Sequence, residues 1–167
     1  MPEAHAIAAE IARSLRKGGR LFTFGNGGSA ADAQHFAAEL LGRFRRERGP
    51  LAATALTTDP STVTAIANDY AFADVFARQV TALARQGDVV IGITTSGKSE
   101  NVVRGLRSAK ACGALAVVLS GGDGGEAARS ADHALVVPSN VAARIQEMHL
   151  LLIHIMCERI DDVVIGK

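Results

Sequence analysis

Four short runs of this chain are almost wholly apolar: RLFTF (20–24), DVVIGI (88–93), ALAVVLS (114–120) and DHALVVP (132–138). A strand with one face in water alternates apolar and polar residues, and these runs do not alternate. They belong in a sheet covered on both faces, and helical stretches stand between them to do the covering. LAATALTT (51–58) reads as a further strand. The segments between predict helices over 4–17, 30–44, 60–67, 72–85, 100–113 and 142–162, with a short one before 132. Strand and helix alternate throughout 167 residues, without repeat or linker. That predicts one α/β domain over 1–167, a three-layer αβα sandwich on a five-stranded parallel sheet. In such sheets ligands bind beyond the carboxyl ends of the strands. Three loops should meet there: GNGGS (25–29), Asn68–Asp69 with its flanks, and TTSGKS (94–99).

Hydrophobic residues make up 48% of the chain, enough for a sizeable core. A formal charge of +1 gives no general attraction to nucleic acid or to anionic membranes. Arg43, Arg45, Arg46 and Arg48 form a local basic run, read as a solvated helix end. Cys112 and Cys157 are not a Cys-x-x-Cys pair, and both fall in helical patterns, which suits a reducing compartment. The opening MPEAHAIAAEIARSLRKGG places acid early and base late, the order of a helix and not of a secretory leader. No apolar run reaches membrane-spanning length.

GITTSGKS (92–99) matches the nucleotide phosphate loop G-x-x-x-x-G-K-[ST] letter for letter. Its surroundings argue against that identity. Gly92 lies inside VVIGI and reads as a strand residue, not as the first loop glycine. The two later strands run into Gly-Gly and into Pro138, and neither ends in an acid that would hold magnesium. What remains is a turn rich in hydroxyls (Thr94, Thr95, Ser96, Ser99) ahead of a helix. Hydroxyls, backbone N–H groups and a helix N-terminus bind phosphate without lysine. A plain N-cap would explain Ser99 alone.

GNGGSAADAQHFAAELLGRF, ALTTDPSTVTAIANDYAF, TTSGKS and ARIQEMHLLLIHIMCERID, in that order from Arg20 to Asp161, resemble the phosphoheptose isomerases, members of the sugar-isomerase (SIS) fold group with a flavodoxin-like sheet. The resemblance implies a cytoplasmic aldose–ketose isomerase. Its reaction would convert sedoheptulose 7-phosphate to D-glycero-D-manno-heptose 7-phosphate through an enediol, for the heptose of bacterial lipopolysaccharide. It implies one zinc per subunit, held by His35, Glu39, Gln146 and His154, with Glu39 and His154 as catalytic base and acid. Substrate contacts would come from Asn26, Gly27, Gly28, Ser29, Glu39, Asn68, Asp69, Thr94, Thr95, Ser96, Ser99 and Gln146. It further implies a homo-oligomer, a tetramer, with residues 1–19 as an N-terminal helix in subunit contact. The sugar phosphate is then the partner, with neither nucleic acid nor membrane.

The residues themselves leave more open. His35 and Glu39, four apart, share one helix face and are ordinary zinc ligands, or else a simple intrahelical pair. Gln146 and His154 are eight apart, a rise of about 12 Å with about 80° beyond two turns. They reach one metal from either side of it, or from neighbouring subunits. A carboxylate held tightly by zinc is a poor base, which keeps Asp69 or a water as alternatives. Asp69 also fits a turn. Asn26 could bind sugar or cap its turn, and Ser29 reads as the helix cap. Glu147 and His149 read as exposed or as pairing with neighbours, and Gly121–Gly125 as a flexible loop without chemistry. Two positions depart from the family: Thr94 replaces the usual serine, and Lys98, read as pointing to solvent, replaces the usual asparagine. Only residues 1 to about 19 precede the first strand, fewer than the family usually has, so a dimer is the alternative to a tetramer. The competing functions are an isomerase for another sugar phosphate and a non-catalytic SIS protein that binds a replication-initiator-type partner. The latter would be free to lose Glu39 or His154, and both are present.

Overall fold

A computed structural model describes residues 2–166. Five parallel strands form one sheet in the order β2-β1-β3-β4-β5. They are β1 Leu21–Gly25, β2 Ala53–Ala55, β3 Val89–Ile93, β4 Leu115–Gly121 and β5 His133–Val137. The helices are α1 Pro2–Arg16, α2 Gly28–Leu41, α3 Pro60–Asp69, α4 Val75–Leu83, α5 Glu100–Ala111, α6 Gly125–Ser130 and α7 Ala142–Ile165. This is the expected sandwich. Successive strand residues feed opposite cores. Leu21, Ile91, Ile93 and Leu119 pack under α1, α2 and α7 with Ile11, Phe36 and Met156. Phe22, Phe24, Val90 and Val118 pack on the other face with Phe76 of α4 and Val102 and Leu106 of α5. The order reverses between β1 and β3, which opens the crevice beyond their carboxyl ends. Among the described residues no helix is long and apolar enough to cross a membrane.

Three boundaries differ from expectation. The strand predicted over 51–58 shrinks to three residues at the sheet edge. Side chains end it: Thr58 Oγ1 donates to the Ala55 carbonyl, and Asp59 Oδ1 accepts the Thr62 N–H to cap α3. The predicted break at Asn68–Asp69 is the last turn of α3. The helix predicted over 72–85 is a 3₁₀ turn, Phe72–Asp74, followed by the shorter α4.

The arginine run is not a solvated helix end. The Arg48 side chain is 3% exposed and pairs with Asp161, 2% exposed, at 2.7 Å. It also donates to the carbonyls of Glu39 and Leu40, each at 2.9 Å. A helix end leaves carbonyls without donors, and one guanidinium fork supplies several at once. Arg45 and Arg46 pair with Glu158 and Asp162 at the rim. The segment after α2 is thereby fastened to α7.

Candidate active site

The crevice is built from two turns. After β1, a Cβ at Gly25 would lie 2.8 Å from the Ile93 carbonyl, so glycine lets the ends of β1 and β3 close up. Gly27, at φ +56°, occupies the cap position of α2 and makes no side-chain bond. Ser29 is therefore not the cap; it is buried inside the first turn, because the helix starts one residue before it. The first-turn N–H groups of Ser29, Ala30 and Ala31 donate to the Asn26 and Gly27 carbonyls, which closes the turn on itself. The Asn26 amide is bonded to the Asn101 amide of α5 in both directions, at 2.8 Å each way. Its side chain is thus occupied, and what this turn offers a sugar is backbone. A Cβ at Gly28 would collide with the Gln146 amide, so Gln146 lies directly over this turn.

After β3 comes the hydroxyl loop. Thr94 Oγ1, buried, is 3.1 Å from Ser99 Oγ and 3.5 Å from Ser96 Oγ. Ser96 Oγ accepts the Lys98 N–H. Ser99 stands at the cap position of α5 as expected, but its hydroxyl makes no cap bond and turns to Thr94. The start of α5 is left open to an anion. Gly92 is a strand residue, as its context implied, with a Cβ position 2.9 Å from Val102 Cγ1. Gly97, at φ +66°, lies backbone to backbone against Gly124 and Gly125, and the Ala127 N–H donates to its carbonyl. The second glycine of the apparent nucleotide motif thus serves loop packing, and Gly121–Gly125 has a use the sequence did not reveal. A cleft of about 460 Å³ beside Thr95, Ser96 and Lys98 continues to Asp123, Ser139 and Asn140.

Beside the crevice, α2 and α7 bring three side chains together. His35 Nε2 lies 3.0 Å from His154 Nε2 and 3.3 Å from Glu39 Oε1. One nitrogen or oxygen from each falls within 4.8 Å of the others. The His154 ring stacks on Phe44, at 5.3 Å between centroids, and meets the His35 ring at a tilt, at 5.2 Å. Two imidazole nitrogens facing at 3.0 Å present at least one lone pair inward, next to a carboxylate oxygen. This nitrogen and oxygen donor set fits zinc. Gln146 lies two turns up α7 and hydrogen-bonds none of the three among the described residues. Asn68 donates to Asp69 at 2.9 Å on an exposed helix end, and no hydrogen bond or ion pair ties either to the crevice.

Two further polar groups are buried, one that the sequence did not single out and one whose burial it did not foresee. Asp32, one turn before His35, has a buried Oδ2 without a hydrogen-bond partner. Burial pushes its carboxyl above the usual range, against the opposing pull of His35. His149, expected exposed or paired with a neighbour, is fully buried, with Nε2 3.0 Å from the Ser120 carbonyl. Burial holds its pKa below the ordinary value despite that bond, so the neutral ring donates and Nδ1 has no partner. Its spacing from Ile145, Leu152, Ile153 and Met156 puts it on the apolar face of α7, which was the available signal. Glu147 is exposed as expected and pairs with Arg144.

Residues 3–121 match the SIS domain family. The chain is 54% identical over 158 residues to the phosphoheptose isomerase of Aquifex aeolicus, spanning 95% of this chain and 83% of that one. It is 57% identical over 152 residues to phosphoheptose isomerase 1 of Campylobacter jejuni, spanning 91% and 82%. The structure of the phosphoheptose isomerase from Neisseria gonorrhoeae superposes with a TM-score of 0.89 at 49% identity, covering 96% of this chain and 86% of that one.

Proposed function

Because the chain belongs to the phosphoheptose isomerase family of SIS-domain proteins, we propose that it converts sedoheptulose 7-phosphate to D-glycero-D-manno-heptose 7-phosphate through an enediol, with zinc, in heptose biosynthesis. The observation that supports this most is the meeting of His35, Glu39 and His154, in a fold whose crevice also carries a hydroxyl-lined helix start. Thr94, Thr95, Ser96, Ser99 and the open first turn of α5 hold the phosphate. Gly27 and Gly28 let the backbone approach the sugar. His35, Glu39 and His154, joined by Gln146, would hold the zinc, which supplies a Lewis acid for the ketose carbonyl. Glu39, held loosely and released as substrate binds, would remove the proton from C1 and return it to C2. His154 would act as the acid only through the ring nitrogen it does not offer to the metal, giving a proton to the C2 oxygen and recovering one from the C1 hydroxyl. Phe44 fixes its ring in place.

Assembly as a homotetramer in the cytoplasm belongs to the same proposal. Val141, just ahead of α7, and Met148 and Leu151 on it are 57%, 37% and 46% exposed, an apolar patch of the kind that subunit contact covers. Both cysteines are free thiols, which suits a reducing compartment.

Incubation with sedoheptulose 7-phosphate, followed by NMR, tests the proposal. Aldose should form, disappear with chelator and return with added zinc. Turnover that survives thorough chelation removes zinc from the mechanism. No turnover by folded, zinc-loaded protein overturns the substrate.

A further inference from the structure

We propose that Asn101 is a positioning residue for this reaction: its reciprocal amide pair with Asn26 sets the start of α2, and so His35 and Glu39, relative to the loop that holds the phosphate. The inference rests on the isomerase reading above.

Asn101 lies in the first turn of α5 and is 3% exposed. Its Nδ2 donates to Asn26 Oδ1, and Asn26 Nδ2 donates to Asn101 Oδ1, both at 2.8 Å. Two antiparallel amide bonds close a ring that resists sliding and twisting, as a single bond does not. The partners are 75 residues apart and belong to the two turns flanking the switch point of the sheet. The β1 turn has little else to hold it. Gly27 and Gly28 carry no side chains, and Gly27 has φ +56°. The backbone bonds of Ser29, Ala30 and Ala31 run to Asn26 and Gly27, within the turn itself. The amide pair is therefore the side-chain tie from this turn to α5.

What the tie connects gives it consequence. Toward α5 lie Ser99 and the hydroxyl loop, which take one end of the substrate. Toward α2, Gly28 leads within two turns to His35 and one turn further to Glu39, which act at the other end. Phosphate and reacting carbon are thus held by separate elements, and Asn101 links them where both begin. A displacement of about 1 Å between binding and reacting groups costs on the order of 10²-fold in rate. Breaking the pair should leave phosphate capture intact and misalign the chemistry.

The experiment compares zinc-loaded wild type, N101A, N26A and the double variant for turnover of sedoheptulose 7-phosphate, with the Kd for inorganic phosphate and the Tm measured on the same samples. Each single variant should lose about 10- to 100-fold in kcat, while KM and the phosphate Kd move less than about threefold. The double variant should be no slower than the slower single one, since both break the same ring. N101A turning over at the wild-type kcat overturns the inference. So do additive losses in the double variant, or a phosphate Kd that weakens in step with kcat, which would place Asn101 in the phosphate site. A purely structural role would lower Tm and leave kcat per folded enzyme unchanged, also overturning it. Should N101A fail to fold, N26A, on a half-exposed turn, carries the same outcomes. An inactive wild type overturns the isomerase reading and this inference with it, whereas an active wild type matched by N101A overturns this inference alone.

Discussion

Replacing Arg48 with alanine should be among the most damaging single changes outside the catalytic cluster. Its side chain is 3% exposed and its partner Asp161 2% exposed, so R48A strands a carboxylate where water cannot reach it. Removing one partner from a buried ion pair costs about 3–5 kcal/mol. The Glu39 and Leu40 carbonyls lose donors at the same time. For a domain of this size each kcal/mol lowers Tm by about 2–4 °C, so the shift should be roughly 6–20 °C. Arg45 is the internal control. Its pair with Glu158 is 69% and 53% exposed, and R45A should cost less than about 1 kcal/mol. Urea and thermal melts of R48A, R45A and the double variant R48M/D161L, compared at one protein concentration, check this. The apolar double variant should recover most of the loss, because it removes the stranded charge. R48A melting within about 1 kcal/mol of wild type, alongside R45A, would refute the reasoning.

Acid should destabilise the protein through His149. The unfolded histidine titrates near 6.5, and burial holds the folded value lower. The unfolded state therefore binds more protons, and stability falls as pH drops from about 6.5 toward the folded value, by up to about 1.4 kcal/mol per pH unit. Melts at pH 7.5 and 5.5 should show a shallower loss for H149L than for wild type. G97A should weaken inorganic phosphate binding and cost about 1–3 kcal/mol, since it combines positive φ with a collision against the Gly124 carbonyl; calorimetry and a melt read both. K98N, at an exposed side chain without an ion pair among the described residues, should change stability by less than about 0.5 kcal/mol. Neither K98N nor wild type should hydrolyse ATP in a phosphate-release assay.

The apolar runs carried the architecture because a strand buried on both faces has no polar alternative. Gly92 could be placed in a strand from its neighbours, and Val102, Phe24 and Leu106 do close around it. Spacing put His35 and Glu39 on one helix face, which fits a simple ion pair as well as a ligand pair; only the resemblance joined them to His154, since nothing local says that α2 and α7 touch. The residues whose partners went unforeseen share a cause. Arg48, His149, Asn26 and Ser29 are polar, and sequence patterns send polar groups to the surface. Each is instead engaged or buried through a partner far along the chain or a turn that starts one residue early: Asp161, the Ser120 carbonyl, Asn101 and the Gly27 cap. A partner 29 to 113 residues distant leaves no local trace.

The pairing of α1 with α7 also governs how the chain matures. Ile7 and Ile11 of the first helix share a core with Ile153, Met156 and Ile160 of the last. During synthesis the first helix waits for nearly the whole chain, roughly 6 to 25 s at about 5–20 residues per second, with its greasy face uncovered. β1 likewise lies between β2 and β3 and cannot complete its ladder until residue 93 has emerged. His154 arrives on the final helix, so no nascent fragment can assemble the donor cluster. Metal capture would then wait until α7 has emerged past His154, and a fragment that stops short of it would be both sticky and empty-handed.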